Sequence, residues 1–203
     1  MPSKIKTNTK KTNTKKTKTK KSKTNKTNTK KTKTNKTQKN KIHTCKSCCN
    51  KSQVKNNNCS SVTLECIDFR LRDNISCQLN SLGYKNDYDA GCSPGTSLAY
   101  NNNLPGYTGF DKYFDNIVKV AYSLHKINKI ILVEHEKCGA YKVAYGKLTP
   151  NQELNYQKQN ITSAASTLMK KFNPLNGTIM KIPNLTILGY RISINGCNML
   201  QIY

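Results

Sequence analysis

A mainly parallel β-sheet flanked by helices, with an antiparallel strand at its C-terminal edge, is the fold class that residues 62–203 predict. Three observations carry that expectation. Apolar runs such as KIILVEH at 129–135 read as strands buried on both faces, as parallel strands are. These runs alternate with stretches whose apolar residues recur every 3.6 positions, the pattern of helices laid over a parallel sheet. Near the end, two apolar runs flank Asn195-Gly196, a favoured two-residue hairpin turn.

The elements follow in order. SVTLEC, β-branched and apolar, reads as a first strand ending at Cys66. Leu71, Ile75, Leu79 and Leu82 then form one helix face, with Gly83 as its cap. NDYDAGCSPG reads as a short strand running into a loop, and NNNLPGYTG as a turn-rich loop. Residues 111–128 are the strongest helix, with Phe114, Ile117, Val118, Ala121, Leu124 and Ile127 on one face. His125 falls beside Leu124 and reads as structural or exposed. KIILVEH is the next strand, CGAYKVAYG opens a helix, and 150–172 is a longer one. NLTILGYRISINGCNMLQIY gives the closing strands.

What precedes this domain has another character. Residues 1–64 hold 20 lysines and no acidic residue, so most of the formal charge of +25 lies there. Residues 1–42 are a degenerate Lys/Thr/Asn repeat that cannot bury enough apolar surface to offset the entropy of ordering, and are expected to be a disordered arm. Such an arm could touch nucleic acid or another polyanion, without reading bases and with strong salt sensitivity. Compositional drift toward Lys and Asn explains it equally well. Residues 43–61 read as a cysteine-containing linker. His43, Cys45, Cys48, Cys49 and Cys59 could form a metal knuckle, but only one Cys-x-x-Cys half is present. No 18-residue apolar run exists to span a membrane, and no apolar stretch follows the N-terminus as a secretory signal would. A reducing, cytoplasmic setting is therefore expected, with the nine cysteines as thiols or metal ligands.

The chemistry gathers at strand ends. Cys66 ends the first strand, and His135 and Cys138 end a later one. In a parallel sheet these ends share one edge, where ligands bind. Two thiolates and an imidazole suit tetrahedral zinc, with a fourth position open. Asp68 lies two residues beyond Cys66, near enough to accept a hydrogen bond from a zinc-bound water, and Arg70 can hold Asp68 ionised through a bidentate pair. Taken singly, each feature has a plain reading: a packing cysteine, a chance His-x-x-Cys, an ordinary ion pair. Their joint order at the right strand ends favours a metal site. Cys77, Cys92 and Cys197 read as core or surface thiols.

These residues resemble the β-class carbonic anhydrases. CIDFR matches that family's Cys-x-Asp-x-Arg motif and HEKCGA its His-x-x-Cys motif. YDAG at 88–91 resembles the family's Arg-Asn-Ala-Gly segment, and the helix–strand passage from 114 to 140 and the closing strands are also similar. The resemblance covers about 62–203. It implies a β-carbonic-anhydrase-like domain and one Zn2+ per chain on Cys66, His135 and Cys138. Asp68 and Arg70 are the implied catalytic pair, with reversible hydration of carbon dioxide to bicarbonate by zinc-bound hydroxide as the activity. It also implies a homodimer or higher homo-oligomer, and an alternative resting state in which Asp68 itself takes the fourth zinc position. Other readings are hydrolysis of carbon disulfide or carbonyl sulfide at the same site, or an inactive zinc domain serving a nucleic-acid-binding arm. Two departures stand out. Tyr88 and Asp89 replace the family's Arg-Asn, and the family's N-terminal helices, apolar pocket wall and pocket glutamine cannot be placed in this sequence.

Overall fold

The computed structural model describes residues 57–203; the arm, the Cys45–Cys49 cluster and the expectations attached to them lie outside the described residues. The domain is one five-stranded sheet. Strands β1 (Ser61–Cys66), β2 (Tyr88–Ser93), β3 (Lys129–His135), β4 (Thr186–Ile192) and β5 (Met199–Gln201) run in the order β2-β1-β3-β4-β5. The first four are parallel and β5 is antiparallel to β4, as the sequence predicts. The helices are α1 (Arg72–Leu79), α2 (Ser97–Tyr100), α3 (Phe110–His125), α4 (Gly139–Tyr145) and α5 (Pro150–Phe172).

The alternation in β3 shows why the sheet needs helices on both sides. Ile130 and Leu132 pack into a core with Phe114 and Val118 of α3 and with Ile161, Leu168 and Phe172 of α5. Ile131 and Val133, one residue out of phase, pack on the opposite face against Leu71, Ile75 and Leu79. A strand so placed must be apolar throughout, and these four residues have no solvent exposure. The start of α5 is set locally: Pro150 opens the helix, and Thr149 and Gln152 form a capping box.

Some boundaries depart from the sequence reading. α1 ends at Leu79 and passes into a wider turn, so Leu82 is exposed rather than part of the helix face; Gly83, at φ 94°, turns the chain there. α3 closes three residues early, at a left-handed Lys126. Ile127 is buried as the chain enters β3, while Leu124 faces solvent. Between the strand-end loop and the 101–109 loop, in residues to which the sequence reading assigned no element, Ser97–Tyr100 forms a buried helical turn. β1 begins at Ser61, one residue inside the predicted linker, and Cys59 and Ser60 are bonded to the folded domain. Among the described residues, no helix is long and apolar enough to cross a membrane.

Candidate metal centre

The parallel register decides which side chains meet. Leu64 lies opposite Leu132 and Glu65 opposite Val133, so the carboxyl ends of β1 and β3 share one edge. Cys66 ends β1, His135 ends β3, and Cys138 precedes α4 by one residue. All three side chains are buried, and their donor atoms lie within 4.8 Å of one another, a grouping able to hold a metal ion.

His135 Nδ1 lies 2.8 Å from the Glu136 carbonyl oxygen. That contact places the proton on Nδ1 and leaves the Nε2 lone pair free. Nε2 is buried and, among the described residues, has no hydrogen-bond partner, an arrangement that costs free energy unless something electrophilic sits beside it. The Cys66 and Cys138 sulfurs are 4.0 Å apart. That is far beyond the ~2.05 Å of a disulfide. It is near the ~3.8 Å expected of two sulfurs on one tetrahedral zinc with ~2.3 Å bonds. The donor set and its spacing fit zinc.

The two buried thiols interact directly, so each shifts the ionisation of the other. The Cys138 thiol holds the Cys66 thiol below the usual thiol range, against the cost of burial, and His135 and the Gly95 N–H assist. Cys66 in turn pushes Cys138 far above the usual thiol range. A divalent cation removes the conflict by accepting both thiolates.

The loop bearing Cys138 is held from beneath. Glu153 of α5 accepts hydrogen bonds from the Lys137 N–H at 3.0 Å and the Cys138 N–H at 2.8 Å, and it pairs with Arg191 of β4. Arg191 also binds Glu136 and Gln157, and Gln157 donates to the His135 carbonyl. This network keeps Lys137 at φ 54°, a left-handed conformation that costs a non-glycine residue on the order of 1 kcal/mol. Sequence reasoning missed it; α5 carries these groups on its buried face at i and i+4, which was the available signal. Glu153→Gln should loosen the loop and weaken zinc retention by about 10–100-fold with little change in helix content, as measured by competition with a chromogenic chelator. Unchanged affinity would show that the loop holds its shape without the carboxylate.

The other wall is a strained turn. Gly95 sits at φ 69°, where a Cβ would come within 2.8 Å of Ala140, and its N–H points at Cys66 Sγ from 3.4 Å. Thr96 follows at φ 46°, unusual for a β-branched residue, held by its hydroxyl on the Val133 carbonyl at 2.8 Å. Ser97 donates through its backbone and hydroxyl to Glu134, a fully buried carboxyl that burial pushes up to about 8.

Asp68 and Arg70 stand at the mouth. The Arg70 guanidinium donates to both Asp68 oxygens, at 2.9 and 2.5 Å, and holds the carboxyl down at about 2. Asp68 Oδ2 is 3.8 Å from His135 Nε2. The mouth opens into a cavity of about 760 Å³ whose lining is mostly apolar and includes Phe69, Leu104, Tyr107 and Val143. Cys77 and Cys197 are exposed and Cys92 is half-buried, on the surface or at its edge. His125 is not in mid-helix: it is the last residue of α3, paired with Asp89.

A doubly flanked, mainly parallel sheet with a Cys/His/Cys group at its carboxyl edge has the β-carbonic anhydrase fold. The structure is similar to the β-carbonic anhydrase CafA of Aspergillus fumigatus, with TM-score 0.52 and 12% identity over 73% of this chain and 77% of that one. A tetrameric β-carbonic anhydrase of Sordaria macrospora aligns with TM-score 0.47 and 13% identity, over 72% and 82% of the two chains. No model of a known protein family matches the sequence. Among curated proteins, the chain is 31% identical over 140 residues to an uncharacterized protein of Rickettsia bellii, covering 69% of this chain and 80% of that protein. It is 29% identical over the same length to an uncharacterized protein of Rickettsia conorii, covering 70% of it. The chain belongs to the family of the Rickettsia bellii protein.

Proposed function

We propose that the protein is a zinc-dependent enzyme that hydrates carbon dioxide reversibly to bicarbonate, with Cys66, His135 and Cys138 holding the metal and Asp68 and Arg70 serving the reaction. The observation that carries this reading is the pairing of a buried Cys/His/Cys donor set, its Nε2 without a partner among the described residues, with an aspartate 3.8 Å away at the mouth of a mostly apolar cavity. The motif resemblance and the shared fold support the same reaction. Zinc bound there would supply a nucleophilic hydroxide from water near neutral pH. Asp68, kept ionised and turned by Arg70, would accept a hydrogen bond at this position and so orient a nucleophile. With its pKa near 2 it positions rather than stores a proton. Leu104, Tyr107 and Val143 offer an apolar surface suited to a small substrate without a dipole. Because Arg70 occupies both Asp68 oxygens, the geometry favours the arrangement in which Asp68 stays off the metal. The test is stopped-flow hydration of carbon dioxide by zinc-loaded full-length protein at pH 8.5. The rate should exceed that of the chelator-stripped protein, and equal rates would overturn the proposal.

The same mouth gives a reason for self-association. Ile67, Phe69, Tyr107 and Val143 are each more than half exposed around the cavity rim, and Phe69 is 84% exposed. Such an apolar rim is costly in water. We propose that a second copy of the chain covers it in a symmetric dimer or a multiple of one. Light scattering at micromolar concentration should return at least twice the 22.9 kDa chain mass. A monomer mass would refute this.

A further inference from the structure

We propose a second transition-metal site, formed by Cys59, Asp89 and His125 at the opposite end of the sheet. The three residues come from three segments. Cys59 lies two residues before β1, Asp89 is in β2 opposite Val62, and His125 ends α3. Backbone pairing brings them together: the Cys59 N–H donates to the His125 carbonyl at 3.1 Å, and β1 and β2 are paired in register. His125 Nδ1 is 2.7 Å from Asp89 Oδ2, and Cys59 Sγ is 3.7 Å from the same oxygen. The donor atoms all lie within 4.8 Å of one another.

A helix-end His–Asp pair needs only two partners and is stabilised by the helix dipole alone. Here a thiol stands beside the pair as well, 3.7 Å from the same carboxylate oxygen and 3.4 Å from the Ser61 carbonyl oxygen, so all three donor groups face one point. A divalent cation replaces both protons and takes one sulfur, one nitrogen and one oxygen. That mixed set selects zinc or cobalt over magnesium or calcium, and it leaves a fourth position for water. The position is reachable, because all three residues are half-buried and line a surface cavity of about 390 Å³. The local charge suits a cation. Asp87 stands next to the site, bonded to Ser60, while the nearby Lys126 ammonium is turned onto the Ser123 carbonyl and the Tyr122 ring. A nucleophilic role fits less well, since burial and Asp89 push the Cys59 thiol up to about 11.

The test uses full-length protein with Cys45, Cys48 and Cys49 changed to Ser, so that upstream thiols do not count. Co2+ is the probe, read by equilibrium dialysis and by the thiolate-to-cobalt charge-transfer band. Two equivalents should bind, falling to one with Cys59→Ser, and Asp89→Asn or His125→Ala should weaken the second by at least ~10-fold. A count unchanged by Cys59→Ser overturns the proposal. Adding Cys66→Ser and Cys138→Ser should leave one equivalent with a charge-transfer band that Cys59→Ser abolishes. A band that survives Cys59→Ser in that background also overturns it. If the background does not fold, the two-to-one count with the first centre intact decides the matter.

Discussion

Cys138→Ser will lose one zinc equivalent per chain relative to wild type, measured by elemental analysis after gel filtration, and Cys66→Ser and His135→Ala will do the same. A serine hydroxyl stays protonated where a thiol gives a thiolate, and the site must be deprotonated to bind. The loss should exceed the ~10–100-fold that altering a group behind a ligand costs. It should also lower the melting temperature. Cys66, His135 and Cys138 are 5%, 0% and 3% exposed, so an unfilled site strands buried polar groups without partners. Full zinc retention in Cys138→Ser would dismiss the centre as drawn. Retention in His135→Ala alone would instead mean that the two sulfurs suffice and the imidazole only packs.

Asp68→Asn will keep that zinc and lose hydration rate, on the order of 10²–10⁴-fold for a positioned acid–base group. The amide keeps the shape but presents one acceptor where the carboxylate presents two. Arg70→Ala should lower the rate similarly by freeing Asp68 to swing. The pH dependence separates the roles. The Asp68 carboxyl is held at about 2, below its ordinary 3.8, chiefly by Arg70. A depressed folded-state pKa adds stability that is present above the unfolded value and lost as pH falls from about 3.8 toward 2. Asp68 therefore does not titrate between pH 6 and 9. A rise in rate across that range would belong to a group other than Asp68, as the proposed zinc chemistry requires, and Asp68→Asn should lower the plateau without moving the midpoint. A variant with wild-type plateau would mean that Asp68 orients nothing. One whose pH dependence disappears would mean that Asp68 is the titrating base.

Much of the fold was legible because local patterns report local structure. The apolar KIILVEH run is β3, buried on both faces, and the Phe114–Val118–Ala121 spacing is the inner face of α3. The meeting of the candidate donors was legible for a related reason. When strands are parallel, residues at their carboxyl ends share an edge, so Cys66 and His135 could be brought together from sequence order alone. What failed shows where such reasoning stops. Leu82 keeps the helical period yet is exposed, because Gly83 turns the chain before that face can dock. Ser97–Tyr100 has no period long enough to detect, and packing makes it helical and buried.

The amino-acid sequence by itself determined the succession of strands and helices along the chain, the two-sided burial of the central strands and the candidate donor residues at their ends. Each of these depends on residues near one another in the chain. Tertiary structure alone decided that Glu153, Gln157 and Arg191 brace the Cys138 loop, that Phe69 and Tyr107 rim the cavity, and that Cys59, Asp89 and His125 meet. Those meetings join positions 30 or more residues apart, or depend on how one helix lies across the sheet. Strand order, register and helix packing set them, and no local period encodes those.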